Sequence, residues 1–262
     1  MLATSCQKTI TAVEVSNGTD TTIVPGLLVR SVSLWSDGTN PATDSTVTVY
    51  TYDALGLLAK KEQTGQQPIF YNRDALERLT SMITPTGTGD TAYTRVYYVN
   101  ATASIVSYVL YSITSLTGKP DSMAFTYTNA GSVNKTGYYN GGSGARQLSY
   151  YQTWTFDANY NVTQLKQFTA DDALNISYDF EYDNKPNPLR SPDDARLPFE
   201  WGYTLSPNNI VKQTNHYGSS SPGTDDYVTY TYVYNSGNKP VTGTHSGTAI
   251  GTQTEAMRFY YH

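Results

Sequence analysis

Tyr50-Thr51-Tyr52-Asp53-Ala54-Leu55-Gly56-Leu57-Leu58 returns one step later as Tyr71-Asn72-Arg73-Asp74-Ala75-Leu76-Glu77-Arg78-Leu79. Looser copies put Asn100, Thr128, Asp157, Asp183, Ser206 and Asn235 at the Asp53 position, giving eight copies spaced 21 to 29 residues apart. Three residues before that position stand Tyr50, Tyr71, Tyr97, Phe125, Trp154, Phe180, Tyr203 and Tyr232, all aromatic. One residue before it stand Tyr52, Arg73, Val99, Tyr127, Phe156, Tyr182, Leu205 and Tyr234. Side chains two apart share one face of a strand. The residues between them, such as Thr51, Asn72, Thr126, Thr155, Glu181 and Thr204, are mostly polar. This alternation predicts antiparallel strands with one packed face and one wet face.

An Asp, Asn, Ser or Thr can bond the backbone two residues on, which favours a turn at each copy. Each copy therefore predicts strand, turn, strand. Arg73–Leu79 alone also fits a helix, but its alignment with the Asp53 copy favours the hairpin. Eight hairpins give about sixteen strands, and Met257-Arg258-Phe259-Tyr260-Tyr261 reads as a further half-repeat. So long a sheet curls or closes, because twist accumulates and free edges aggregate. The expected fold is all-β: an antiparallel meander forming a curled sheet or a wide barrel. Residues 1–22 read as a signal-peptide remnant and flexible tether, and 23–262 as the repeat domain. The longest insertion is 184–198, where Pro186, Pro188, Pro192 and Pro198 oppose regular pairing.

Composition agrees with strands. There are 24 tyrosines, and charged residues make up only 15% of the chain, against about 25% in an average globular protein. Aromatic and β-branched side chains fit a pleated, half-buried surface. The net charge of −5 and the lack of a Lys/Arg run give no phosphate-tracking surface, so nucleic acid is not an expected partner. No apolar run approaches the ~20 residues of a transmembrane helix.

The single cysteine, Cys6, excludes a disulfide framework within the chain. Leu2-Ala3-Thr4-Ser5-Cys6 resembles the end of a bacterial lipoprotein signal peptide, with small residues before a lipidated cysteine. The apolar stretch that precedes such a cysteine is missing, so a truncated or misassigned start is expected. The acidic residues that often follow in surface-export tethers are missing too. The repeat is similar to the YD repeat of bacterial RHS-type proteins, a Tyr-Asp pair followed by a turn. Tyr182-Asp183-Asn184-Lys185-Pro186-Asn187-Pro188, with Asn208-Asn209-Ile210, resembles motifs of Bacteroidetes-type envelope lipoproteins. The resemblance implies an outer-membrane lipoprotein, periplasmic or surface-exposed, tethered through a lipid on Cys6, with a glycan or an envelope protein as further partner. It implies curled antiparallel sheets and no activity.

The chemistry-bearing residues are few. His216, His245 and His262 fall in turn-like or terminal contexts and read as solvated. Gly141-Gly142-Ser143-Gly144 lacks a following Lys and helix, so it reads as a hairpin loop. Nothing calls for a metal or a cofactor. Asp171-Asp172, Asp193-Asp194 and Asp225-Asp226 are acidic pairs that a glycosidase or a calcium site would use, yet each falls where turns are expected. A ring offers an apolar face and a polar handle to a sugar, which makes Trp154, Trp201 and Tyr203 the candidate ligand-binding residues, with Trp35 in the same class. The favoured expectation is a structural or ligand-binding envelope protein without catalysis. The alternatives are a polysaccharide hydrolase using the acidic pairs, and an outer-membrane β-barrel pore. Gln67, Arg95, Asp121 and Gln152 on the aromatic face count against lipid there, since a mid-bilayer Arg costs about 2–4 kcal/mol.

Overall fold

The structure is a computed structural model that describes residues 26–36, 44–101, 105–113, 120–128, 133–141, 145–190, 206–219 and 223–262. Among the described residues, sixteen strands follow one another. The first eight are β1 (Leu28–Ser36), β2 (Asp44–Tyr52), β3 (Leu58–Gln63), β4 (Ile69–Arg73), β5 (Leu79–Pro85), β6 (Thr91–Tyr98), β7 (Val106–Ile113) and β8 (Asp121–Tyr127). The second eight are β9 (Val133–Asn140), β10 (Gln147–Phe156), β11 (Val162–Thr169), β12 (Leu174–Pro186), β13 (Asn208–Tyr217), β14 (Asp226–Tyr234), β15 (Pro240–Ser246) and β16 (Thr254–Tyr261). Each strand pairs antiparallel with its neighbours in sequence, and β1 pairs with β16, so the meander closes into a barrel. Closure removes both sheet edges. It also resolves the alternative between curled sheet and barrel, and the half-repeat at 257–261 is the strand that completes the ring.

The repeat appears as one turn built four times. In the turns at Asp53, Asp74, Asp157 and Asn235, the first residue's N–H donates to the carbonyl four residues on. Its side-chain Oδ1 accepts the N–H groups of the residues two and four further on, at 2.8–3.1 Å. The fourth residue has positive φ: Gly56 at 80°, Glu77 at 64°, Tyr160 at 65° and Asn238 at 60°. Gly and Asn adopt that conformation readily, whereas Glu77 and Tyr160 hold it against a steric penalty.

A second recurrent device sits beside each turn. Ahead of the last residue of seven of the eight even-numbered strands, and ahead of Tyr182 in β12, the pairing register slips by one, leaving an extra residue on the odd-numbered partner. Such bulges bend a strand and raise its twist, which helps a long meander to close. The extra residue also changes which side chains point inward. Leu79 and Met82, Val106 and Val109, or Val162 and Leu165 face the interior at a spacing of three, where simple alternation gives two. The first residue of an odd strand is thereby buried: Leu28, Leu79, Val106, Val133 and Val162 are all at most 5% exposed.

Over that buried residue the partner strand's final tyrosine lays its ring. Tyr52, Tyr98, Tyr127, Tyr182 and Tyr261 donate their hydroxyls to the carbonyls of Leu28, Leu79, Val106, Val162 and Pro240 at 2.7–2.9 Å. Arg73 reaches the Leu58 carbonyl in the same way at 3.4 Å. Burial pushes the Tyr127 hydroxyl up to about 12 and raises Tyr52, Tyr182 and Tyr261 as well, so the latches stay protonated donors.

Three expectations are corrected. In the third copy Tyr98, not Val99, is the inward residue, and Val99 opens the turn by donating to the Ile105 carbonyl. Tyr97 and Arg95 therefore lie on the outer face, Tyr97 stacked on Tyr108 and Arg95 over Tyr93. The Ser206 copy lies in the connection between β12 and β13, of which 191–205, Tyr203 and Leu205 included, fall outside the described residues. Pairing also persists through Pro186, which opposes Asn208 beyond two register shifts. Pro186–Arg190 line a cavity of ≈170 Å³ with Leu28, Tyr50, Tyr52 and Tyr261, so this connection reaches across the barrel end to β1, β2 and β16.

Candidate ligand-binding site in the polar half of the barrel

The barrel has two unlike ends. One carries the Asp-type turns and the interior apolar layer of Leu79, Val106, Val133, Val162, Phe125 and Trp154. Towards the other end the inward-facing side chains turn polar. On β13 and β14, Asn215 Nδ2 donates to Asp226 at 2.6 Å, the Tyr217 hydroxyl donates to the same carboxylate at 3.0 Å, and Gln213 donates to Asn215 at 2.7 Å. Asn215 is only 8% exposed. The bond to Asp226 raises the Tyr217 hydroxyl above its ordinary range, with burial adding to it. On β9 to β11, Tyr138 donates to Gln152 at 2.8 Å and stacks on Tyr150 at 4.1 Å.

The closing strands supply the most distinctive group. His245 of β15 lies edge-on to Trp35 of β1 and Tyr230 of β14, each at 5.2 Å. Its Nε2 is 2.8 Å from Glu255 of β16, both side chains being 11% exposed. The contact lacks hydrogen-bond geometry, so among the described residues both His245 ring nitrogens remain without a hydrogen-bond partner, as does Ser33 Oγ on β1. Buried polar atoms in that state are costly unless water or a ligand meets them. The registers Trp35–Glu255, Glu255–His245 and His245–Tyr230 place these four side chains in one row across the inner wall. A ring face, a carboxylate and unmet donors in one row suit a ligand with an apolar face edged by hydroxyls.

The residues singled out in the sequence are distributed otherwise. Trp154 is inside but 6% exposed, its Nε1 donating to Thr136 at 3.1 Å, so it belongs to the packed layer. Cys6, Trp201, Tyr203 and the pair Asp193-Asp194 lie outside the described residues. Asp171 accepts from Thr169 within its own turn, and Asp172 of the same turn accepts from Tyr151 of β10. Asp225 and Asp226 diverge. Asp226 enters the interior network, while Asp225 meets His216 on the outer face at 2.6 Å. His245, read as solvated, is interior. The sequence grouped Trp35 with the sugar-stacking aromatics but did not join it to His245 and Glu255, because β1, β15 and β16 were not aligned as a closing set. Glu255 alternating with Met257, Phe259 and Tyr261 was the available signal.

His216 is held between two carboxylates, Asp225 on Nδ1 and Asp179 on Nε2 at 3.1 Å. The Asp225 bond, aided by both negative charges, raises its pKa above the ordinary value. With the folded value above the unfolded one of about 6.5, the contribution is complete below that pH and is lost as pH rises through the folded pKa. Stability is therefore expected to decline as pH is raised from about 6 towards 8. His216→Gln removes that component, which chemical unfolding at each pH checks. An identical slope in the variant sinks the assignment. The site is more than one-third exposed, so the effect is small.

No family model matches the sequence, and no curated protein matches it. Solved structures do. A porin-like protein from Bacteroides uniformis superposes with a TM-score of 0.56 at 10% identity, over 92% of this chain and 99% of that one. A porin-like protein from Bacteroides vulgatus gives 0.52 at 9% identity, over 90% and 99%. A TcdB2-TccC3 structure overlaps 87% of this chain and 11% of its own at a TM-score of only 0.21. This chain therefore shares a closed antiparallel barrel fold with the two porin-like proteins.

Proposed function

We propose that this chain is a lipid-anchored envelope barrel standing in water, which binds a hydroxyl-rich ligand, a glycan, in the polar half of its interior and performs no catalysis. The sorting of its two faces carries this reading. The interior holds most of the repeat's aromatic and aliphatic side chains, whereas the outer face, which bears Phe70, Tyr93, Tyr97, Tyr108 and Tyr260, also carries Arg30, Lys60, Arg95, Lys135, Glu181 and Arg258 among threonines. A barrel sitting in lipid needs the opposite arrangement, with a continuous apolar band outside. Of the aromatics that open the repeats, Tyr50, Tyr71, Phe125, Trp154, Phe180 and Tyr232 point inward, and Tyr97 points outward. Attachment to the membrane then falls to a lipid on Cys6, and the row of Trp35, Tyr230, His245 and Glu255 is the place for a sugar ring.

The porin-like names of the two similar barrels favour a second reading, an outer-membrane pore. Cells expressing the full-length protein and Cys6→Ala separate the two. Release of Cys6→Ala from membranes by carbonate, with wild type retained, is the expected result. Retention of both establishes the pore. For the ligand, the melting temperature of the full chain is measured against purified polysaccharides. A rise with one glycan that Trp35→Ala abolishes supports the site, and no rise with any of them removes the glycan from the proposal.

A further inference from the structure

The exposed apolar side chains of this barrel are not spread evenly. Leu55 is 62% exposed, Leu76 56%, Val99 61%, Ile105 38% and Tyr160 59%. All five stand in the turns at one end: Leu55 between β2 and β3, Leu76 between β4 and β5, Val99 and Ile105 between β6 and β7, and Tyr160 between β10 and β11. The first three of these turns are consecutive around the ring, each two strands, or about 10 Å, from the next. Asp53, Asp74 and Asp157 pin their turns through paired backbone bonds, and Arg78 ties its turn to the next through the Asn100 carbonyl. The tips are thus held outward in fixed positions.

At the opposite end the described turns read differently. Gln63–Pro68, Thr86–Asp90, Ala170–Ala173 and Gly247–Gln253 are built mainly from Gly, Thr, Gln, Asp and Ala, with the half-buried Ile250 as their one large aliphatic side chain. Phe70, Ile113 and Tyr227, the exposed apolar residues nearest that rim, lie within strands. The chain enters the barrel at the apolar rim: Gly26 N–H donates to the His262 carbonyl beside β1, next to the Leu55 turn. The segment bearing Cys6 therefore joins the same end that presents the apolar tips.

We propose that this rim is a membrane-contacting surface, with Leu55, Leu76, Val99, Ile105 and Tyr160 inserted among lipid headgroups and the polar ligand-binding half held away from the bilayer. The proposal rests on the lipid-anchor reading only for its choice of occupant. Apolar side chains on rigid tips gain by leaving water for the interface, as amphipathic elements do. An anchor at the same end keeps that contact from having to hold the protein alone.

The test uses the unacylated full-length chain and vesicles of phosphatidylethanolamine and phosphatidylglycerol. Wild type is expected to co-sediment with vesicles, largely independent of salt, and the variant Leu55→Asp/Leu76→Asp/Tyr160→Asp to bind about ten-fold less. Tyr160→Gly keeps the fold secure, because glycine suits the positive φ there, and is expected to lose part of the binding. Absence of wild-type binding, or equal binding by both variants, overturns the proposal. Concentration-dependent dimers abolished by Leu55→Asp, without vesicle binding, overturn it in favour of a contact between two copies. The anchor is judged separately, by metabolic labelling of Cys6 with a fatty acid. A rim that binds vesicles in a chain never acylated sinks the anchor and leaves the surface standing.

Discussion

Trp154→Ala is expected to lower the free energy of unfolding by about 3–5 kcal/mol, the range for removing a large aromatic from a packed interior. The indole is 6% exposed, lies opposite Leu165 of β11 and donates to Thr136, itself fully buried. Alanine leaves a cavity and strips Thr136 Oγ1 of its donor, so transfer, cavity and hydrogen-bond losses combine. Trp154→Phe keeps most of the volume and loses the bond, at about 1–2 kcal/mol. Urea unfolding followed by circular dichroism measures both. A loss below about 1 kcal/mol for the alanine variant means that the ring is not packed as described. Stability that survives while ligand binding vanishes returns Trp154 to the role its sequence position suggested.

Asp183→Ala is the second large effect, about 2–4 kcal/mol. This carboxylate accepts the Lys185 and Asn209 backbone N–H groups at 2.9 and 3.2 Å, the Asn209 side-chain amide, and the Tyr234 hydroxyl. It joins β12, β13 and β14 where the long connection leaves the barrel, and Asn209 is only 3% exposed. Alanine strands several buried donors at once, and an unmet buried donor costs more than a bond returns when made. Burial, followed by the bond from Asp183, raises the Tyr234 hydroxyl, so its removal is also expected to bring the tyrosine back towards its ordinary value. Asp183→Asn keeps an acceptor at the same place and is expected to lose less than half as much. Equal losses for both variants mean that charge, not the hydrogen-bond count, holds this corner.

Trp154 and Trp35 show that the interior has two layers. Trp154 sits in the apolar layer near the Asp-turn rim, where side chains hold the barrel together. Trp35, only 5.2 Å from His245, sits where the neighbouring polar atoms are unmet and a ligand has something to satisfy. Both are inward-facing tryptophans on strands, and composition alone ranks them equally. Their functional difference is set by what lies across the barrel wall from each.

The alternation of Tyr50 and Tyr52 around Thr51, repeated along the chain, determined by itself that the fold is an antiparallel β meander with an aromatic face packed and a threonine face wet. Local chemistry suffices for that, because strand facing has a period of two and an Asp oxygen can fold its own turn. The sequence also marked Asp53, Asp74, Asp157 and Asn235 as turn residues correctly. What it did not determine was closure, which depends on β1 meeting β16 across the whole length of the chain. Nor did it reveal the bulge beside each turn, which shifts inward spacing from two to three and moved Tyr98 into the place assigned to Val99. A bulge is a property of two paired strands, so neither strand's sequence contains it. The row of Trp35, His245, Glu255 and Tyr230 has a similar origin: the registers of successive hairpins align Tyr230, His245 and Glu255, and Trp35 joins them only when β1 is set against β16.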